Sequence, residues 1–302
     1  MSGTTKIQWA HATCQVVAGC MRVSPGCTNC HAIRRAWLIA HNKQVAPAKR
    51  RAYLDAVEQR AGRLEWSGRV AVLPGWLDEL TALCRGKARK RIFVESMGDI
   101  FHPGVPAAEI IKLFAFAART PNHDFLLLTK RPDAMRDTTA RLGLEWPGNL
   151  WAGASVESQD QDWRVGALLQ APAQVRFLSC EPLLGPLDLS RFLWFDGSNG
   201  GPEHYQEHGW AYDEWSGGFI GQDPARDLDN PRAGLDWVIC GTESINGYPG
   251  RDPGLGPIRD LRDQCQKAHV PFFLKQAEID RRLVKMPALD GTVWAQVPKA
   301  AQ

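Results

Sequence analysis

"RIFVESMGDIFHPGVPAAEIIKLFAFAARTPNHDFLLLTKR", residues 91–131, reads as strand, helix, strand. The runs "RIFVES" (91–96) and "DFLLLT" (124–129) are short, apolar and bounded by polar residues, the pattern of buried strands. Between them Ile110, Leu113, Phe114 and Ala117 recur at i, i+3, i+4 and i+7, with Pro106 near the start, so 106–120 is expected to be a helix with one apolar stripe. Two strands joined by such a crossover lie parallel.

The alternation extends through most of the chain. Further runs are "CQVVAG" (14–19), "LWAGAS" (150–155), "VRFLSC" (175–180), "DWVICG" (236–241) and "PFFLKQ" (271–276), and an amphipathic stretch at 258–270 keeps Leu261, Cys265 and Ala268 on one face. Repeated units of this kind imply an α/β fold, either a barrel or a doubly wound sheet. The strand ends decide between them. Polar residues follow the runs at once: Ser96 and Asp99; Thr129, Lys130 and Arg131; Ser155 and Glu157; Ser179 and Glu181; Glu243 and Ser244; Lys275 and Gln276. A doubly wound sheet gathers ligands at one switch point, whereas a barrel brings many strand ends onto one site. The expected fold is one parallel (β/α) barrel, partial or complete, over residues 1–302.

Two insertions interrupt it. Residues 35–90 are basic and, from "PAKRRAYLDAVEQRAG" (47–62), mostly helical; they close with "CRGKARKR" (84–91), a run suited to phosphates or to a solvated turn. Residues 196–234 hold eight glycines and eight acids against two arginines, with Tyr205, Trp210, Tyr212 and Trp215 interleaved, a composition for a lid over a substrate or for an idle loop. Inside it "HYQEH" (204–208) matches a zinc-protease string, but flanking glycines oppose the helix those ligands need. Trp37, Trp66, Trp76, Trp151, Trp163 and Trp237 are expected between helices and strands.

Residues 1–100 carry 16 Lys and Arg against 7 Asp and Glu, so the net charge of +3 conceals a basic front third. No basic start leads into an apolar run and no stretch of 18 apolar residues occurs, which points to a cytoplasmic chain without a membrane partner. In that compartment eight cysteines indicate metal or redox chemistry in preference to disulfides.

"VVAGCMRVSPGCTNCHAIRR" (16–35) places Cys20, Cys27 and Cys30 directly after the first strand, at the end where the polar residues gather. A structural zinc site takes four ligands, and Cys14 is the candidate fourth. Three cysteines on one loop without a paired fourth instead suit a [4Fe–4S] cluster that keeps one iron open. Cys180, Cys240 and Cys265 read as buried packing residues.

A three-cysteine loop after the first strand of an α/β barrel resembles the radical S-adenosylmethionine superfamily. "TKIQWAHATCQVVAGCMRVSPGCTNCHA", "RIFVESMGDIFHPGVP", "FLLLTKRPDAM", "LWAGASVES", "VRFLSCEPLLGPL", "LDWVICGTES" and "VPFFLKQ" together resemble a phage-associated family of three-cysteine proteins of unknown function grouped with it. Cys14 stands where such relatives have tryptophan, His31 where they have tyrosine, and "ICGTES" replaces a double-glycine form.

The resemblance implies that Cys20, Cys27 and Cys30 each bind an iron of a [4Fe–4S] cluster. S-adenosylmethionine would chelate the fourth, and an electron from a flavodoxin- or ferredoxin-type donor would release a 5′-deoxyadenosyl radical that takes hydrogen from substrate. It places the cofactor's ammonium near Ser96 and Asp99; charge and position offer Ser155 and Glu157 to its ribose, Lys130 or Arg131 to its carboxylate or to a substrate anion, and the backbone near Glu181 or Gly241 to its adenine. Glu243, Lys275 and Gln276 remain as substrate candidates. Phage association and the basic front third suggest a DNA base or nucleotide as substrate; the alternative is a zinc-stabilised nucleic-acid-binding protein with Cys14 as fourth ligand.

Overall fold

In the computed structural model, residues 3–193, 210–213, 218–221 and 234–298 are described. Seven parallel strands, β1 (Ala12–Cys14), β2 (Arg91–Val94), β3 (Asp124–Thr129), β4 (Leu150–Ser155), β5 (Arg176–Cys180), β6 (Trp237–Gly241) and β7 (Phe272–Ile279), lie in sequence order in one sheet. Gly3–Thr4 adds an antiparallel edge beside β1, and Arg282–Lys285 adds one beside β7. The sheet is open, so the barrel is partial.

The helices α1 (His31–His41), α2 (Pro47–Ala56), α3 (Trp76–Leu83), α4 (Ala107–Ala118), α5 (Pro132–Arg141), α6 (Trp163–Leu169) and α7 (Leu255–Lys267) connect these strands. Period two sorts the strand side chains onto two faces. Ile92, Val94, Phe125, Leu127, Leu178, Val238 and Leu274 join the stripes of α4 and α7 in a large outer core. Phe93, Leu126, Trp151, Phe177, Trp237 and Phe273 form a second, inner cluster with Trp9 and no helix residue. Trp151 and Trp237 therefore face the concave side of the sheet, not the helices, because each shares the parity of the inner set. Trp163, also expected in packing, is about half exposed.

The first insertion has its own core. α1 and α2 bury Ile33, Ala36, Ile39, Tyr53 and Ala56 against a hairpin of Val57–Arg60 and Arg63–Trp66. The helix expected over 47–62 ends at Ala56, because Val57 is extended and starts a strand that reverses through Ala61 and Gly62, both at positive φ. The run 84–91 lies at the amino ends of the strands: Arg89 pairs with Asp124, Lys90 Nζ donates to the Leu83 carbonyl at 2.6 Å and Arg91 Nε to the Trp9 carbonyl at 3.0 Å. Most of 196–234, with HYQEH and the proposed lid, falls outside the described residues; Trp210–Asp213 and Gly218–Gly221 pair as a hairpin.

Candidate active site

Above the aromatic floor, the inward parity carries polar side chains at the carboxyl ends: Gln15, Lys130, Ser155, Glu157, Ser179, Glu181, Glu243 and Lys275. The cysteine loop crosses over them. Pro25–Cys27 is a short 3-10 turn, and Cys30 is the N-cap of α1. Gly26 N donates to Glu157 Oε1 at 3.1 Å, and a Cβ added at Gly26 would sit 2.8 Å from that oxygen, so any other residue would displace the carboxylate. Asn29 Nδ2 donates to Glu243 Oε2 at 2.9 Å. Arg251 pairs with Glu243 and donates to the Pro25 carbonyl at 3.1 Å. A loop that leaves β1 is thus tied to the ends of β4 and β6.

These ties occupy two carboxylates that sequence reasoning offered to ligands. Glu157, fully buried, also accepts from Lys130 Nζ at 3.1 Å and Arg164 NH1 at 2.9 Å. Burial pushes its carboxyl up, but Lys130, Ser24 and Arg164 outweigh it and hold the pKa below the usual value. Burial likewise opposes ionisation of Glu243, yet its bonds from Arg251 and Asn29 bring the pKa down to about 2. Both stay ionised near neutrality.

Asp99 accepts from Thr129 Oγ1 at 2.8 Å, Phe101 N at 3.0 Å and Arg131 NH1 at 2.7 Å, so it caps the turn after β2 and pairs with the guanidinium. Arg131 NH1 reaches Cys20 Sγ at 4.0 Å, and Arg131 NH2 is buried without a partner among the described residues. Ser96 Oγ accepts from Gln15 Nε2 at 2.7 Å, while Gln15 Oε1 accepts from Met97 N at 3.0 Å. Gln15, a link between β1 and the Ser96–Asp99 turn, was missed in the sequence; its period-two relation to Thr13 was the available signal.

On the opposite side Lys275 Nζ lies 2.6 Å from Glu181 Oε1, and Ser179 Oγ and Trp9 Nε1 donate to Glu181 Oε2 at 3.1 and 3.3 Å. A Cβ on Gly241 would come within 3.0 Å of Glu181 Oε1. Gln276 Nε2 donates to the Thr242 carbonyl at 2.8 Å. Ser155 is buried, its carbonyl bonded by Arg164. His31 is solvent-accessible, yet burial by surrounding protein, then Lys275, lowers its pKa to about 4. Both properties suit a ring on a concave wall.

The donor set fits an iron–sulfur cluster with an open iron: three thiols on one loop, a guanidinium against one sulfur, and an unpartnered buried N–H beside it. Among the described residues no three His, Cys, Asp or Glu side chains converge as around a single ion. A cubane distributes its thiolates over separate irons and needs no such convergence. Cys14 is elsewhere, buried in the outer core with its Sγ 3.6 Å from the Trp76 carbonyl. Cys180, Cys240 and Cys265 are buried in the same core.

No curated protein sequence matches the chain. Among solved structures it is similar to spore photoproduct lyase complexed with dinucleoside spore photoproduct, with a TM-score of 0.47 and 11% identity over 91% of this chain and 78% of that one. A mutant of that lyase with bound AdoMet and dinucleoside spore photoproduct gives a TM-score of 0.44 and 12% identity over 92% and 79%. The family model described as "Protein of unknown function (DUF5131)" matches residues 4–298, and the chain belongs to that family.

Proposed function

We propose that the protein is a radical S-adenosylmethionine enzyme whose cluster is held by Cys20, Cys27 and Cys30. The observation that carries this reading is the cysteine loop itself, pinned by Glu157 and Glu243 over the polar strand ends with Cys20 against Arg131. When bound, the cluster and S-adenosylmethionine supply one-electron cleavage to a 5′-deoxyadenosyl radical.

The chain's own residues position and shield. Arg131 NH2 and Lys130 are offered to the cofactor carboxylate, Ser96 to its ammonium, the Ser155 hydroxyl to its ribose, and the wall of Gly241 and Glu181 to its adenine. Asp99 and Glu157 hold these groups in place through the bonds given above. Lys275, Gln276 and His31 line the side left for substrate. The aromatic floor closes the barrel below and keeps water out.

The proposed substrate is a nucleic-acid base or nucleotide. Residues 31–70, which begin beside Cys30, carry nine Lys and Arg against three Asp and Glu, a density suited to phosphates. A base within a duplex would have to be extruded to reach the mouth. A low-potential donor of flavodoxin or ferredoxin type is proposed to supply the electron.

Anaerobic purification tests the reading. Brown protein with about four iron and four sulfide per chain is expected. Cys20→Ala, Cys27→Ala and Cys30→Ala should each lose the iron, and Cys14→Ala should retain it. Colourless protein with one zinc, lost on changing Cys14, would establish the zinc alternative instead.

A further inference from the structure

We propose that the buried Asp99–Arg131 pair sets how readily the cluster accepts its electron, Arg131 favouring reduction and Asp99 opposing it. The inference rests on the cluster reading above and gives these two residues a role apart from holding the cofactor.

The geometry is specific. Arg131 is the N-cap of α5 and Asp99 lies in the turn after β2, so two adjacent strand ends bring the opposite charges together. Both are nine-tenths or more buried, and NH1 stands 2.7 Å from Asp99 Oδ2. Thr129 fixes both: its Oγ1 donates to Asp99 and accepts Arg131 N at 2.9 Å. The same NH1 reaches the Cys20 sulfur at 4.0 Å, and NH2 has no partner among the described residues. The guanidinium therefore stands a positive charge within 4.0 Å of the Cys20 sulfur, in a site that solvent screens little.

Reduction adds one electron to the cluster and oxidises the donor protein by one. The added negative charge is stabilised by a nearby cation and by hydrogen bonds to ligand sulfur, and is disfavoured by a nearby carboxylate. Removing Arg131 leaves Asp99 uncompensated, whereas removing the charge of Asp99 leaves Arg131 uncompensated. The two changes should move the potential in opposite directions.

The experiment is a mediated redox titration of the iron-loaded full chain, followed by the spin-resonance signal of the reduced cluster. Arg131→Gln should lower the one-electron midpoint by at least a tenfold change in the reduced-to-oxidised ratio, ~59 mV. Asp99→Asn, an isostere, should raise it, and Arg131→Lys should fall between Arg131→Gln and the wild type. Midpoints that do not move, or that move together as a loosened site would make them, overturn the proposal. So does loss of iron from both Arg131 variants, which would make the residue a structural support. Wild-type protein that takes up no iron would instead overturn the cluster reading.

Discussion

Gly153 has no side chain because the Phe177 ring occupies that place: a Cβ there would lie 2.3 Å from the ring. Gly153→Ala should therefore overpack the inner cluster and cost about 1–3 kcal/mol in urea unfolding. Phe177→Leu in the same background should recover part of that loss; an unchanged midpoint for Gly153→Ala would show that the ring yields freely. Glu95 presents a different residue-scale case. It sits at φ 70°, its Oε2 accepts Val16 N and Val17 N at 2.8 Å each, and Oε1 is buried without a partner. Burial, outweighing those two bonds and reinforced by Asp99, raises its pKa to about 8. The folded state then holds a proton that the unfolded chain releases near its ordinary value of 4.5. The stabilisation from Glu95 is complete below pH 4.5 and is lost as pH rises through about 8. Glu95→Gln should flatten this decline, matching the wild type in thermal midpoint at pH 5 and exceeding it at pH 9. Parallel curves would remove Glu95 as the cause.

At the scale of elements, the two ties on the cysteine loop predict a change in iron retention. Outer-shell partners of metal ligands typically contribute 10–100-fold in affinity, so Glu243→Ala should release iron to a chelator about 10–100-fold more readily than the wild type. Equal release would mean that the Glu157 bond to Gly26 and the Arg251 bond to Pro25 hold the loop without it. The strands after the first, the stripes of α4 and α7, and the gathering of polar residues at one end were legible in sequence, because period two and period 3.6 are local; the first strand, expected over 14–19, lies at Ala12–Cys14, and Val17–Ala18 pairs instead with Ala71–Val72 outside the main sheet. The partners of those polar residues were not. Glu157 meets Gly26 across 131 residues and Glu243 meets Asn29 across 214, separations that no local pattern records. The same limit explains the misplaced tryptophans: alternation shows that Trp151 and Trp237 share a face, but only the curl of the sheet shows which face is concave.

Over the whole molecule, charge is divided between the two ends of the strands. No helix among the described residues is long and apolar enough to cross a membrane. Among the described residues, exposed Arg34 and Arg35, near the start of α1, have no carboxylate partner, whereas much of the 84–91 run is spent on carbonyls and Asp124 at the opposite end. If nucleic acid approaches the mouth, Arg34→Gln with Arg35→Gln should weaken binding of a single-stranded oligonucleotide and reduce its salt slope by about one per charge removed. Arg85→Gln with Lys87→Gln should leave both unchanged; the reverse outcome would move the nucleic-acid face to the amino ends.

The long reach of the cysteine loop also orders the protein's biosynthesis. The three thiols emerge from the ribosome well before Glu243 and Arg251, since Asn29 and Glu243 are 214 residues apart. Until then the turn from Pro25 to Asn29 lacks both of its β6-side anchors. Contacts of such separation form late, after the intervening loop has closed. Cluster loading is therefore expected to wait until residues 243–251 have been made and have docked, with nascent chains stalled before residue 243 showing no stable iron uptake.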